Sequence, residues 1–134
     1  MSQENVELVR RQYAAFAQGG FEPWMEYWSD DLEYRPESGS LDDTGPIRGK
    51  DEMWAHIQFW TDTFDEFWFG PVELIDAGED RVVAVERFGG RAKQSGVETD
   101  QTVGVVFTIR DGKIARLREY GTRAEALEAA GLSE

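Results

Sequence analysis

The stretch at residues 99–120, TDQTVGVVFTIRDGKIARLREY, decides the fold. Val103, Val105, Phe107 and Ile109 alternate with Thr102, Gly104, Thr108 and Arg110. That period of two marks a strand with one buried face. Asp111-Gly112 then turns the chain, because glycine takes a positive φ without a steric clash. A second strand returns through Ile114, Leu117 and Tyr120. A hairpin with one apolar face needs a cover, and the rest of the chain supplies it.

The cover lies mostly upstream. Val6, Val9, Tyr13 and Phe16 recur at helical spacing and predict a helix over 3–18. Ser2 suits its N-cap, Glu4 suits the positive end of its dipole, and Gly19-Gly20 stops it. A short second helix follows around Pro23 and carries Trp24, Tyr27 and Trp28. Residues 32–36 read as a short strand held to an edge by Pro36. Residues 37–49 are rich in turn formers and read as a loop of lid length, with Asp42-Asp43 solvated. Met53, Ile57, Trp60 and Phe64 form the stripe of a third helix over 50–64.

Strands then dominate. One spans 67–75 and bends at Gly70-Pro71. Another spans 81–88, with Val83, Val85 and Arg87 on one face and Val82, Ala84, Glu86 and Phe88 on the other. Residues 89–97 form a polar connection or a ragged strand end, and the hairpin follows. A short helix over 123–130 ends at Gly131. Early helices and late antiparallel strands indicate an α+β fold in which a twisted sheet wraps on three helices.

The composition narrows the function. A chain of 134 residues suits one domain over 1–134. Aromatic residues make up 13%, with five Trp and eight Phe, enough to build a core and line a cavity. The net charge of −13 disfavours nucleic acid and anionic membrane surfaces as partners. The absence of Cys excludes disulfides and thiolate metal sites. No apolar run approaches the ~20 residues of a membrane span, and the polar beginning does not resemble a signal peptide. A cytoplasmic location is the expectation. No metal-ligand spacing and no glycine-rich phosphate loop occurs, so no metal and no cofactor is expected.

Three stretches carry a resemblance: ENVELVRRQYAAFAQGG at 4–20, WSDDLEYRP at 28–36, and RDGKIARLREYGTRAEALEAAGL at 110–132. With the element order, they resemble the nuclear transport factor 2-like superfamily, and within it the SnoaL-like proteins. The resemblance implies a cone-shaped barrel. A strongly curved, mainly antiparallel sheet would wrap on three N-terminal helices, with a short C-terminal helix behind. The mouth of the cone would open onto a pocket. Members include polyketide cyclases, a ketosteroid isomerase and an epoxide hydrolase, so the fold by itself does not specify a reaction.

The hairpin register decides which side chains reach that pocket. A two-residue turn would carry Arg116 and Arg118 to the apolar face. A three-residue loop, with Gly112 as a bulge, turns Ala115, Leu117 and Glu119 toward it instead. Keeping two arginines out of a core favours the second register, which also fits the family geometry. Glu119 then stands as a lone carboxylate on an apolar face.

The ketosteroid isomerase pattern matches at Tyr13. The region of its base reads Tyr34-Arg35-Pro36, and its fourth-strand Asp falls on Val105, so that chemistry is not implied. Epoxide hydrolase relatives carry Glu-Arg-x-Asp and Arg-Asp-Tyr. Here Glu86-Arg87-Phe88-Gly89 and Arg118-Glu119-Tyr120 stand in those places. The resemblance gives Arg87, Glu119 and Tyr34 as a partial site whose second acid is missing. Two readings of Arg87 and Glu119 stand. One is an ion pair, buried and fixing register or exposed at the rim; the other is a general base oriented by an arginine. His56, at the edge of its helix stripe, is either a further acid–base candidate or a solvated flank residue.

The expected catalytic set is Glu119, Arg87, Tyr34 and His56. The expected pocket lining is Tyr13, Trp28, Ile57, Trp60, Val103, Val105 and Leu117. Acid–base chemistry on a small hydrophobic polyketide-like, terpenoid or aromatic compound heads the readings. Ligand binding without turnover, and a structural dimerisation module, are the alternatives. A homodimer is expected through the outer sheet face formed by Thr102, Gly104, Val106, Thr108, Ile114, Arg116 and Tyr120.

Overall fold

Every element in the computed structural model, which describes residues 2–37 and 45–132, serves one curved sheet. The order is α1 (Ser2–Gly19), α2 (Phe21–Met25), β1 (Trp28–Arg35), β2 (Ile47–Arg48), α3 (Gly49–Thr63), β3 (Phe64–Asp76), β4 (Arg81–Ala92), β5 (Glu98–Arg110), β6 (Lys113–Tyr120) and α4 (Arg123–Ala129). The strands lie in the order β2-β1-β6-β5-β4-β3. Only β1 and β6 run parallel; every other neighbouring pair is antiparallel. Helices α1 to α3 cover the inner face, as the sequence predicts, and α4 lies on the outer face. Among the described residues no helix is long and apolar enough to cross a membrane.

Several bounds differ from the sequence reading. Trp28 opens β1 instead of closing α2, because it pairs with Ile114 of β6. Ile47 and Arg48 pair with Tyr34 and Glu33 to add β2 inside the expected loop. The pair Asp42-Asp43 lies outside the described residues. Strand β4 continues through Gly89 and Gly90 to Ala92. A side chain at Gly89 would collide with the Thr99 carbonyl and the Trp68 ring, so the missing Cβ is what lets the strands close there.

The hairpin turns on two residues. Arg110 pairs with Lys113 across Asp111 (φ 54) and Gly112 (φ 75), both left-handed as a tight hairpin turn requires. The bulge exists, but it lies at Ala115 and not at Gly112. Ile109 faces Ile114, and the next rung pairs Thr108 with Arg116. The extra residue restores the expected facing, with Phe107 opposite Leu117 and Val105 opposite Glu119. It also corrects one assignment: Ile114, expected on the outer face, is fully buried in the inner core.

The outer face is partly closed by the chain itself. Ala126, Leu127 and Ala130 at the end of the chain pack on Val83 and Val106, with Tyr120 and Ile75 beside them. Thr122 caps α4 by accepting the Glu125 backbone N–H at 3.1 Å. The apolar side of α4 needs a cover, so Val106, expected on the outer face, is buried beneath it, with Tyr120 half-buried alongside. Gly104 makes the contact possible, because a Cβ there would lie 2.6 Å from the Thr122 carbonyl and 2.7 Å from Ala126 Cβ. Gly104→Val should push α4 off the sheet. We expect a loss of ~1–3 kcal/mol in unfolding free energy, measured by urea denaturation.

Candidate functional site

A cavity opens between the three helices and the inner sheet face. Its deep end is built from buried groups: Gln12 and Tyr13 of α1, Trp24 of α2, Trp28 of β1, Met53 of α3, Phe107 of β5 and Leu117 of β6. Half-buried Tyr34, His56, Phe67, Phe69 and Phe88 stand toward its mouth. Trp60 stacks between Phe64 and Phe67 and meets Phe88 edge-on. The free volume is about 40 Å³. That admits a water or two.

Two carboxyl groups face this ring-lined space, Glu86 from β4 and Glu119 from β6, each 8% exposed. Strand register places both. Glu86 sits opposite Val103, and Glu119 sits opposite Val105 two residues along the same face of β5. The Tyr13 hydroxyl donates to Glu86 Oε1 at 2.7 Å. Burial pushes the Glu86 carboxyl up from 4.5 to about 8; the Tyr13 hydrogen bond works against this, and the negative charge of Glu119 adds to it. At neutral pH Glu86 is therefore mostly the uncharged acid. Burial, then the charge of Glu86, holds the Tyr13 phenol well above 10.0, so it remains a donor.

Glu119 is held differently. The Tyr34 hydroxyl donates to its Oε2 at 3.1 Å, and the Glu37 backbone N–H donates to its Oε1 at 3.2 Å. The His56 ring lies 5.0 Å from the Tyr34 ring. Two separately anchored carboxyl groups, Glu86 holding its proton near neutral pH, thus share one apolar cavity. Among the described residues, no group of three or more His, Asp or Glu side chains is placed to hold a metal ion.

Of the residues expected from sequence, Glu119, Tyr34, His56, Tyr13, Trp28, Ile57, Trp60 and Leu117 line the cavity. Val103 and Val105 lie in the core without lining it. Arg87 is a correction. It points away from the cavity, clasps Asp100 with two hydrogen bonds (Nε to Oδ1 2.9 Å) and lies over the Trp68 ring. It makes no pair with Glu119. The connection pairs Arg91 with Glu98, and that register sets Arg87 opposite Thr102 on the outer side.

Two polar lining residues escaped the sequence reading. Glu86 was read on the opposite face from Arg87 without being placed in the pocket. Gln12 shares the spacing of Val9, Tyr13 and Phe16 and is 1% exposed. Its Oε1 accepts the indole N–H groups of Trp24 and Trp28 at 2.5 and 3.3 Å. Its Nε2 is the one buried side-chain nitrogen or oxygen among the described residues with no hydrogen-bond partner. A buried donor left so costs ~1–3 kcal/mol.

The family model described as SnoaL-like domain matches residues 9–117. An uncharacterized protein of Mycobacterium tuberculosis is 30% identical over 127 residues, spanning 93% of this chain and 94% of that protein. Among solved structures, an NTF2-like protein of Burkholderia thailandensis superposes with a TM-score of 0.79 at 24% identity, over 91% of this chain and 95% of that one. The Mycobacterium tuberculosis protein Rv0760c, in complex with estradiol-17β-hemisuccinate, superposes with a TM-score of 0.73 at 14% identity, over 87% and 92%. At these identities the structural likenesses establish the shared cone fold.

Proposed function

This chain belongs to the SnoaL-like domain family, and on that premise we propose that it binds a small, largely apolar molecule in the cavity and acts on it by acid–base chemistry. Glu86 is the acid in this reading. Its Oε2–H is positioned by the Tyr13 bond on the other oxygen and donates to a ligand oxygen as negative charge develops there. Glu119 is the base, oriented by Tyr34 and the Glu37 N–H. An isomerisation or ring closure of a polyketide-like, terpenoid or aromatic compound uses such a pair. The likeness to a protein solved with a steroid derivative supports a ring-shaped apolar guest.

One observation carries the reading: two carboxyl groups in unlike environments face the same aromatic cavity. A core has no need of them, and burying them costs stability. Binding without turnover is the second reading. It is favoured by the hydrogen bonds that already engage both carboxyl groups.

The test begins with mass spectrometry of the small molecule that copurifies with the protein. That compound is then assayed with the wild type, Glu86→Gln and Glu119→Gln. Each substitution should lower turnover ~10²–10⁴-fold while affinity changes little. Undiminished turnover in both variants would remove the acid–base assignment. Tight binding with no turnover by the wild type would establish the second reading.

A further inference from the structure

The deep end of the cavity contains an amide whose orientation is fixed by its neighbours. Indole N–H groups are donors only, so the Gln12 atom that receives both of them must be the carbonyl oxygen. Rotating the amide by a half-turn would set its NH₂ against two donors. Nε2 is thereby committed as a donor, and it is buried without a partner in a residue that lines the cavity.

We infer that Gln12 is the ligand-reading residue of this cavity, its Nε2 donating to an acceptor oxygen, a carbonyl, at the buried end of a flat apolar guest. The inference rests on the small-molecule reading above and sharpens it. Tyr13 follows Gln12 in α1 and is spent on Glu86, whose uncharged form offers a second donor near neutral pH. The deep polar groups thus present N–H and O–H to the guest, and aromatic rings supply the walls. A guest with a buried carbonyl satisfies them. An ammonium would meet the Gln12 donors head-on.

The matched probes 1-indanone and indane differ by one carbonyl. In the wild type, followed by fluorescence of the buried tryptophans, 1-indanone should bind about tenfold more tightly than indane. In ¹⁵N-labelled protein the Gln12 side-chain amide signals should shift with 1-indanone and stay in place with indane. Gln12→Leu should bring the two affinities together. That variant also strips the acceptor from two indoles, so the labelled wild type decides the question if it fails to fold. If both probes bind equally and the Gln12 signals do not move, the cavity binds small molecules but Gln12 does not read them. If neither probe binds, the cavity reading falls and takes this inference with it.

Discussion

Raising the pH from about 5 to about 9 should destabilise the protein by on the order of 4 kcal/mol, and Glu86→Gln should abolish that loss. Unfolded, Glu86 releases its proton near 4.5; folded, it keeps the proton to about 8. Between these values the folded state binds more protons than the unfolded state. The unfolding free energy therefore falls as pH rises through this window and levels off above about 8. Below 4.5 both states are protonated and the contribution of this group is complete.

Three exposed groups act in the opposite sense, but at lower pH. Asp31 beside Ser29 and Arg110, Glu73 beside Arg123, and Asp100 beside Arg87 are held below their ordinary values of 3.8, 4.5 and 3.8. They remain ionised throughout the Glu86 window. Urea denaturation of the wild type and of Glu86→Gln at a series of pH values makes the comparison. Parallel profiles would show that Glu86 ionises freely in the folded protein.

Trp28→Ala should cost ~3–5 kcal/mol. Trp28 is 1% exposed and the largest fully buried side chain. Its ring meets Trp24 and Phe107 edge-on, and its indole N–H reaches Gln12. Truncation removes ring contacts to three elements at once and leaves a void where β1 joins β6. Trp28→Phe keeps most of the ring and loses the donor, so its cost should be nearer ~1 kcal/mol. Trp54→Ala, at a position 45% exposed whose ring meets Phe21 edge-on, should cost ~1 kcal/mol. Chemical denaturation of the three variants would give these values. A small effect of Trp28→Ala would mean that the helices do not clamp the sheet as described.

The sequence was most informative where one face of an element is apolar and the other is not. The alternation in β5 gave its inner residues, and the difficulty of burying Arg116 and Arg118 gave the facing of Leu117 and Glu119. The stripe of α1 gave its orientation, because Val9, Tyr13 and Phe16 recur on one side. That stripe also contained the signal for Gln12, which a polar label concealed.

Strand β4 was harder to read. Both of its faces mix valine or alanine with charge, so alternation alone cannot choose between Glu86 and Arg87. The choice depends on where pairing resumes after the connection, Arg91 with Glu98, and a polar stretch of uncertain end does not show that. A chemical criterion was available. A carboxyl group can be buried by taking up a proton, whereas a guanidinium cannot shed its charge. Asp100 also offered Arg87 a partner on the outer face. Strand β2 was illegible for a simpler reason: two residues are too few to show a period.

The central claim is that the cavity wall carries a carboxyl group that keeps its proton at neutral pH. Carbon-13 NMR of the glutamate side-chain carboxyl groups across a pH titration tests it most directly, with the Glu86 signal assigned by its loss in Glu86→Gln. The account predicts that this signal inflects at about pH 8. An inflection near 4.5, the ordinary carboxyl value, would contradict it.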